Sequence, residues 1–308
     1  MLFYNWHLTI TKKRVNMKLA NANIRFCLGD DFMGECSTCP SSEGCSKDKD
    51  NCMVKNNPLN SVKNVIGVMS GKGGVGKSSI SVLIAKHLKQ LGYSVGILDA
   101  DITGPSIPRL LGLRGKRAEV TEEMMIPVEN YDGIKVMSLN FLIDKEDDPV
   151  IWRGPMIAGV VEQFWTNVLW GELDYLIIDM PPGTGDVALT AMQSIPINGV
   201  VMVSVPQDLV SMIVSKAVNM ARKMDINILG VIENMSYITC PDCGKKIKLF
   251  NSESTEQFLK EMDLKLLGEL PMLNSISNLS EHWYESVNES LELIFNPIVK
   301  NIIKDLED

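Results

Sequence analysis

The octapeptide Gly71-Lys72-Gly73-Gly74-Val75-Gly76-Lys77-Ser78, followed by Ser79, matches the pattern G-x-x-x-x-G-K-S/T at every fixed position. Glycines at this spacing let successive backbone N–H groups wrap a phosphate, and a helix starting at the loop's end points its positive dipole at the same anion. Lys77 is placed to reach the β and γ phosphates of a nucleotide, and the Ser78 hydroxyl to ligate Mg²⁺. Lys72 follows the first glycine, too far round the loop to duplicate Lys77. It is either a solvated loop lysine or a cation that reaches the nucleotide of a partner subunit, as an arginine finger does. Two acidic stretches complete this chemistry. Asp99-Ala100-Asp101 ends one apolar run, and Asp179 ends another, YLIID. Asp179 is placed to hold Mg²⁺ through water, and Asp101 to orient the attacking water.

The cysteines suggest a second chemistry. Cys240-Pro241-Asp242-Cys243-Gly244 has the form of a metal knuckle, two thiolates one turn apart with a glycine that lets the backbone fold back. Two thiolates do not complete a four-ligand site, so the remaining ligands come from a second subunit or from elsewhere in the chain. Four thiolates suit either Zn²⁺ or a 4Fe–4S cluster. Five of the seven cysteines, Cys27, Cys36, Cys39, Cys45 and Cys52, lie within 26 residues near the N-terminus. An odd number of clustered thiols argues for metal or redox ligands over a disulfide framework. The three histidines, His7, His87 and His282, are scattered and suggest no site.

These residues need a scaffold, and the hydropathy pattern supplies one. Residues 64–70, 94–100, 134–139, 175–180, 199–205, 226–232 and 264–270 are short apolar runs rich in β-branched residues. Between them lie helix-length patterns: residues 77–91, with Ile80, Leu83, Ile84, Leu88 and Leu91 on one face, and residues 157–170 and 209–224. Strands apolar throughout, alternating with helices, predict an α/β fold whose mostly parallel sheet is covered by helices on both faces. In such sheets ligands bind at the carboxyl ends of the strands, where Asp99, Asp101 and Asp179 fall. Residues 281–306 read as one or two closing helices, with Pro297 as a start or interruption. Residues 1–60 read as a separate cysteine-rich arm, ordered by metal if at all, and residues 61–308 as the nucleotide-binding domain. Residues 1–16 carry no recognisable pattern, which leaves Met17 a second candidate start.

Composition narrows the function classes. The 308 residues hold 45% hydrophobic and 22% charged side chains, ordinary for a globular chain. Thirty basic against 38 acidic residues give a net charge of −8, which argues against a broad nucleic-acid surface. No apolar run reaches the roughly 20 residues of a membrane span. The N-terminus lacks the order of charge and cleavage site of a signal peptide, so a cytoplasmic location is expected.

Taken together, GKGGVGKSS at 71–79, DADITGPSIPRLLG at 99–112, WRGPM at 152–156, DMPPGTGD at 179–186 and GVIENMSYITCPDCG at 230–244 resemble the Mrp/ApbC family of P-loop ATPases. These are iron–sulfur cluster carriers and scaffolds within the MinD/ParA group. The resemblance covers about residues 61–270. It implies ATP hydrolysis, a homodimer, a 4Fe–4S cluster at Cys240 and Cys243, and delivery to apo iron–sulfur proteins. It also implies that Lys72 is the signature lysine, that residues 99–106 and 179–186 are switches I and II, and that Asn234 and the Pro206 loop flank the adenine. Cys36, Cys39 and Cys45 resemble three ligands of a second cluster in the eukaryotic cytosolic branch. Cys27 or Cys52 would supply the fourth, although Cys27 lies closer to Cys36 than that branch places it.

A MinD/ParA-type positioning switch is the alternative function. Membrane-binding members of that group typically end in a basic amphipathic helix, whereas residues 281–308 hold two lysines against seven carboxylates. A reductase resembling the nitrogenase iron protein would need cysteines between the two switches, and residues 100–185 contain none.

Overall fold

The computed structural model describes residues 9–11, 14–19, 22–27, 54–102, 104–121, 124–143, 154–206, 212–240, 242–248, 252–272 and 289–307. Three strands, β1 (Thr9–Thr11), β2 (Arg14–Leu19) and β3 (Ala22–Cys27), form a small antiparallel sheet that begins within residues 1–16, where the sequence showed no pattern. Their registers pair Thr9 with Asn16 and Arg14 with Cys27, a local pairing of segments close in sequence.

From Ser61 onward the alternation of apolar runs and helical patterns becomes a nine-stranded sheet. Its strands are β4 (Ser61–Ser70), β5 (Val95–Asp99), β8 (Val128–Glu129), β9 (Lys135–Met137), β10 (Glu172–Asp179), β11 (Gly199–Ser204), β12 (Ile228–Thr239), β13 (Lys246–Lys248) and β14 (Leu266–Pro271). The order is β13-β12-β11-β4-β10-β5-β9-β8, with β14 also paired to β12. All pairs are parallel except β12 with β13 and β8 with β9. A separate two-stranded pair, β6 (Glu119–Val120) and β7 (Met125–Ile126), precedes β8. The short strands β6, β7 and β8 were not expected, because two residues are too few to show a period.

Successive strand residues serve opposite faces of the sheet. Val65 and Met69 of β4 join one core layer, while Ile66 and Val68 join the other. The first layer is covered by α3 (Gly154–Thr166), α4 (Asp186–Ser194), α5 (Met212–Lys223) and α6 (Ser252–Glu261). The second is covered by α1 (Lys77–Gln90), the short α2 (Ile107–Leu110) and α7 (Glu289–Glu307). Each fully buried Ile or Leu in these layers contributes about 2 kcal/mol relative to exposure.

Two expectations shift in detail. Leu91, placed on the buried face of α1, is 45% exposed as the helix C-cap, whereas His87 is buried on the face that bears Ile80, as its position in the helix predicts. Pro297 neither starts nor breaks the last helix but lies inside α7. Its interior cost of about 3 kcal/mol is outweighed by the buried Phe295, Ile298, Val299 and Ile302 around it.

The described contacts extend below residue 61. The Val54 amide donates to the Ser194 carbonyl, and Trp165 Nε1 donates to the Val54 carbonyl at 3.1 Å. The Asn60 side chain donates to Val168 and accepts from the Gly171 amide. Residues 54–60 thus run along the nucleotide-binding unit.

Candidate functional site

The loop between β4 and α1 takes the shape its glycines allow. Gly74 and Gly76 have φ values of +82° and +85°, in the region that L side chains rarely occupy. Gly76 is the N-cap of α1, so the helix N-terminus opens onto the loop. Its start is pinned by the Ser70 hydroxyl, which donates to the Lys72 carbonyl at 2.9 Å. Gly183, in the stretch after β10, donates its amide to the Ser70 carbonyl at 2.8 Å. The second predicted switch therefore lies against the first residue of the loop.

Lys77 is buried, with Nζ 2.9 Å from Asp179 Oδ1 and 3.6 Å from Asp101 Oδ2. Ser78 Oγ donates to Asp179 Oδ2 at 2.6 Å, and Ser81 Oγ donates to Asp179 Oδ1 at 2.8 Å. Three groups from the first two turns of α1 thus converge on one fully buried carboxylate. This convergence follows from strand order: β10 lies between β4 and β5, so Asp179 is flanked by the loop on one side and by Asp99 on the other.

Asp99 is also fully buried, and it accepts from Ser138 Oγ at 3.0 Å and from the Asp101 amide at 3.3 Å. Burial pushes its pKa well above the ordinary carboxylate range, and the nearby Asp179 charge adds to this against Lys77. Asp99 is therefore the carboxyl of this group that burial disposes most towards its neutral form. The site combines one cation, hard oxygen donors from Ser78 and Asp179, and the partly buried Asp101. Hydroxyl and carboxylate oxygens fit Mg²⁺, which prefers few protein ligands and shared phosphate oxygens. Lys72 is exposed on the loop, in contrast to Lys77.

Asn234 completes the loop from the far side. Its Nδ2 donates to the Val75 carbonyl at 2.9 Å, and a Cβ on Gly76 would lie 2.4 Å from that nitrogen. Its Oδ1 is buried without a hydrogen-bond partner among the described residues. Pro206 ends the described segment after β11; residues 207–211, Thr103 of switch I, and Trp152 and Arg153 of the WRGPM motif lie outside the described residues.

The same strand that carries Asn234 ends at the cysteine knuckle. Cys240 and Cys243 lie in the turn joining β12 to β13, where the Gly244 amide donates to the Cys240 carbonyl and Gly244 has φ +69°. The Cys240 thiol is pulled below its ordinary pKa by the backbone amides of Cys243 and Asp242 and by the Cys243 side chain. Cys243 is exposed and Cys240 half-exposed. Among the described residues no group of three or more His, Cys, Asp or Glu gathers as a metal site. Cys27 ends β3, while Cys36, Cys39, Cys45 and Cys52 lie outside the described residues.

The loop, its lysines, Asp101, Asp179 and Asn234 thus come together, and the cysteine pair stands apart from them at the end of β12. Ser81 and Ser138 were missed by sequence reasoning. Ser81 had a signal: it lies one turn after Lys77, on the same helix face as Ser78. Ser138 had none, because only the pairing of β5 with β9 brings it to Asp99. His87 bears no functional contact; it stacks on Phe295 with ring centroids 5.0 Å apart.

Known proteins resemble this chain along most of its length. The family model described as ParA, NUBPL iron-transfer P-loop NTPase, matches residues 61–307. An iron–sulfur cluster carrier protein of Clostridium perfringens is 47% identical over 281 residues, covering 85% of this chain and 99% of its own. A nucleotide-binding protein from Archaeoglobus fulgidus, solved with ADP and with cobalt, is 43% identical with a TM-score of 0.64, covering 73% of this chain and 90% of its own. A MinC:MinD complex from Aquifex aeolicus gives a TM-score of 0.55 at 19% identity, over 80% of this chain and 96% of that one; this is a likeness of fold. Among the described residues no helix is long and apolar enough to cross a membrane.

Proposed function

This chain belongs to the NUBPL iron-transfer P-loop NTPase family, and on that premise we propose that it is an ATP-hydrolysing carrier that holds a 4Fe–4S cluster and delivers it to apo-proteins. One observation carries this reading. Strand β12 bears Asn234, whose side chain packs on the nucleotide loop, and leads directly into the turn that holds the thiol pair Cys240 and Cys243.

In the nucleotide step, the amides of residues 73–78 bind the phosphates, Lys77 neutralises the β and γ oxygens, and Ser78 with Asp179 would hold Mg²⁺, which draws charge off the γ-phosphate. Asp101, 3.6 Å from Lys77, orients the attacking water. The exposed Lys72 reaches across to the nucleotide of a second copy. Asn234 Oδ1 accepts from the exocyclic amine of adenine, which satisfies its orphaned acceptor.

The cluster is cargo. Each subunit offers two thiolates, so two subunits complete four ligands across a two-fold axis. Zn²⁺ fits the same thiolates. Cys36, Cys39 and Cys45, with Cys27 or Cys52, are proposed to hold a second cluster in the 1–60 arm, and residues 61–308 to fold without that arm. A positioning switch finds no comparable support, because the thiol pair has no role in it. Anaerobic reconstitution tests the proposal. Purified protein given iron and sulfide should gain a 4Fe–4S spectrum, bind ATP, and pass the cluster to an apo-acceptor. Zinc alone, with no iron–sulfur signal, would refute it.

A further inference from the structure

α5 separates a core face from an outward one. Val214, Ala217, Val218 and Ala221 pack into the sheet. Lys216 and Lys223, seven residues apart, share the opposite, exposed face of the helix, with the half-buried Met220 on its flank, packed partly against the core. They line an open groove of about 640 Å³, to whose wall Thr184 also contributes. We infer that this groove docks an acidic amphipathic segment of a partner protein.

Charge is the first argument. The chain carries a net charge of −8, yet among the described residues no carboxylate lines the groove, while Lys216, Arg222 and Lys223 do. Asp186 and Asp225 adjoin it in sequence without lining it. The exposed Lys63, Lys248 and Lys265 are each neutralised by Asp174, Glu269 and Asp305. Lys216 and Lys223 have no ion pair among the described residues. A like-charged pair left unmatched on an acidic protein suits an incoming anion.

Shape is the second. Lys216 and Lys223 lie seven residues apart, about 10.5 Å along the helix. That distance matches carboxylates two turns apart on a partner helix laid alongside. Between them Met220, with Met224 beyond, offers half-buried, adaptable apolar surface for the partner's own apolar stripe. Arg222 is fixed as a wall by donating to the Met262 and Asp263 carbonyls.

Thr184 gives the groove a connection to the nucleotide. It follows Gly183, whose amide is bonded to Ser70 at the start of the phosphate loop. A segment seated against Thr184 therefore touches the second switch. This inference goes beyond the cargo reading and is tested without a cluster.

The probe is a fluorescein-labelled amphipathic helix of glutamates on one face and leucines on the other, added to the full chain with ATP and Mg²⁺ and followed by anisotropy. Saturable binding should weaken at least tenfold with K216E/K223E and with rising salt. The double variant should in turn bind a peptide in which lysines replace the glutamates. Met220→Gln, which leaves charge intact, should weaken binding severalfold. Equal binding of a scrambled peptide, no effect of K216E/K223E, or loss of duplex DNA binding rather than peptide binding in that variant would each overturn the inference. The ATP affinity of each variant, measured separately, shows that the protein remains folded.

Discussion

The Asn234 side-chain nitrogen occupies the place where any β-carbon on Gly76 would lie, at 2.4 Å. Two residues separated by 158 positions are thus fitted to one another at the nucleotide loop, and both conformation and space at residue 76 are closed to a side chain. Gly76→Ala would add about 1 kcal/mol of left-handed strain and push Asn234 off the Val75 carbonyl. ATP affinity, measured by calorimetry, should fall at least tenfold, while the circular dichroism of the fold persists. Unchanged affinity would show that the loop relaxes around the methyl group.

The two loop lysines should separate by phenotype. Lys77 is buried against Asp179 and Asp101, so Lys77→Ala should abolish measurable ATP binding and leave two carboxylates facing one another. Lys72 is exposed, so Lys72→Ala should spare most of the binding and remove most of the turnover. Equal loss of binding in both variants would contradict the assignment.

Cys240→Ser with Cys243→Ser should eliminate the shared cluster and the cluster-dependent dimer, while ATP binding persists. Iron and sulfide counts with sedimentation analysis read both effects. A variant that still carries a full cluster at this position would rule out the thiol pair as its ligands.

His87 gives the protein an acid limit. Burial holds its imidazole below the ordinary pKa of 6.5, against the opposing Leu83 carbonyl and Glu292. The unfolded chain therefore takes up a proton at a higher pH than the folded one. Stability from this residue is fully present above about pH 6.5 and is lost as the pH falls towards the depressed folded value. Urea midpoints should decline over that window in the native chain and decline less in His87→Leu. Parallel curves would exclude His87 as the source.

Removing residues 1–53 should leave the ATP affinity unchanged, because the residues proposed to contact the nucleotide all lie within residues 71–234. It should lower the iron bound per subunit if Cys36, Cys39 and Cys45 hold a cluster. An unaltered iron count would remove the arm from the metal chemistry.

The sequence alone determined the features whose parts are neighbours in the chain. The phosphate loop, the cysteine knuckle and the alternation of strands with helices are each written within a few consecutive residues, where backbone geometry fixes the outcome locally. Tertiary structure decided what depends on strand order. Asp179 meets Ser78 and Ser81 because β10 inserts between β4 and β5, and Ser138 reaches Asp99 because β9 pairs with β5. Asn234 closes on Gly76 only once β12 has joined the sheet beyond β11. The strands β6 to β8 are too short to show a period; β8 forms on the edge of β9, and β6 and β7 pair with one another. Local spacing encodes which groups can act; the sheet's long-range pairing decides which of them meet, because side chains far apart in sequence converge only through the backbone hydrogen bonds that order the strands.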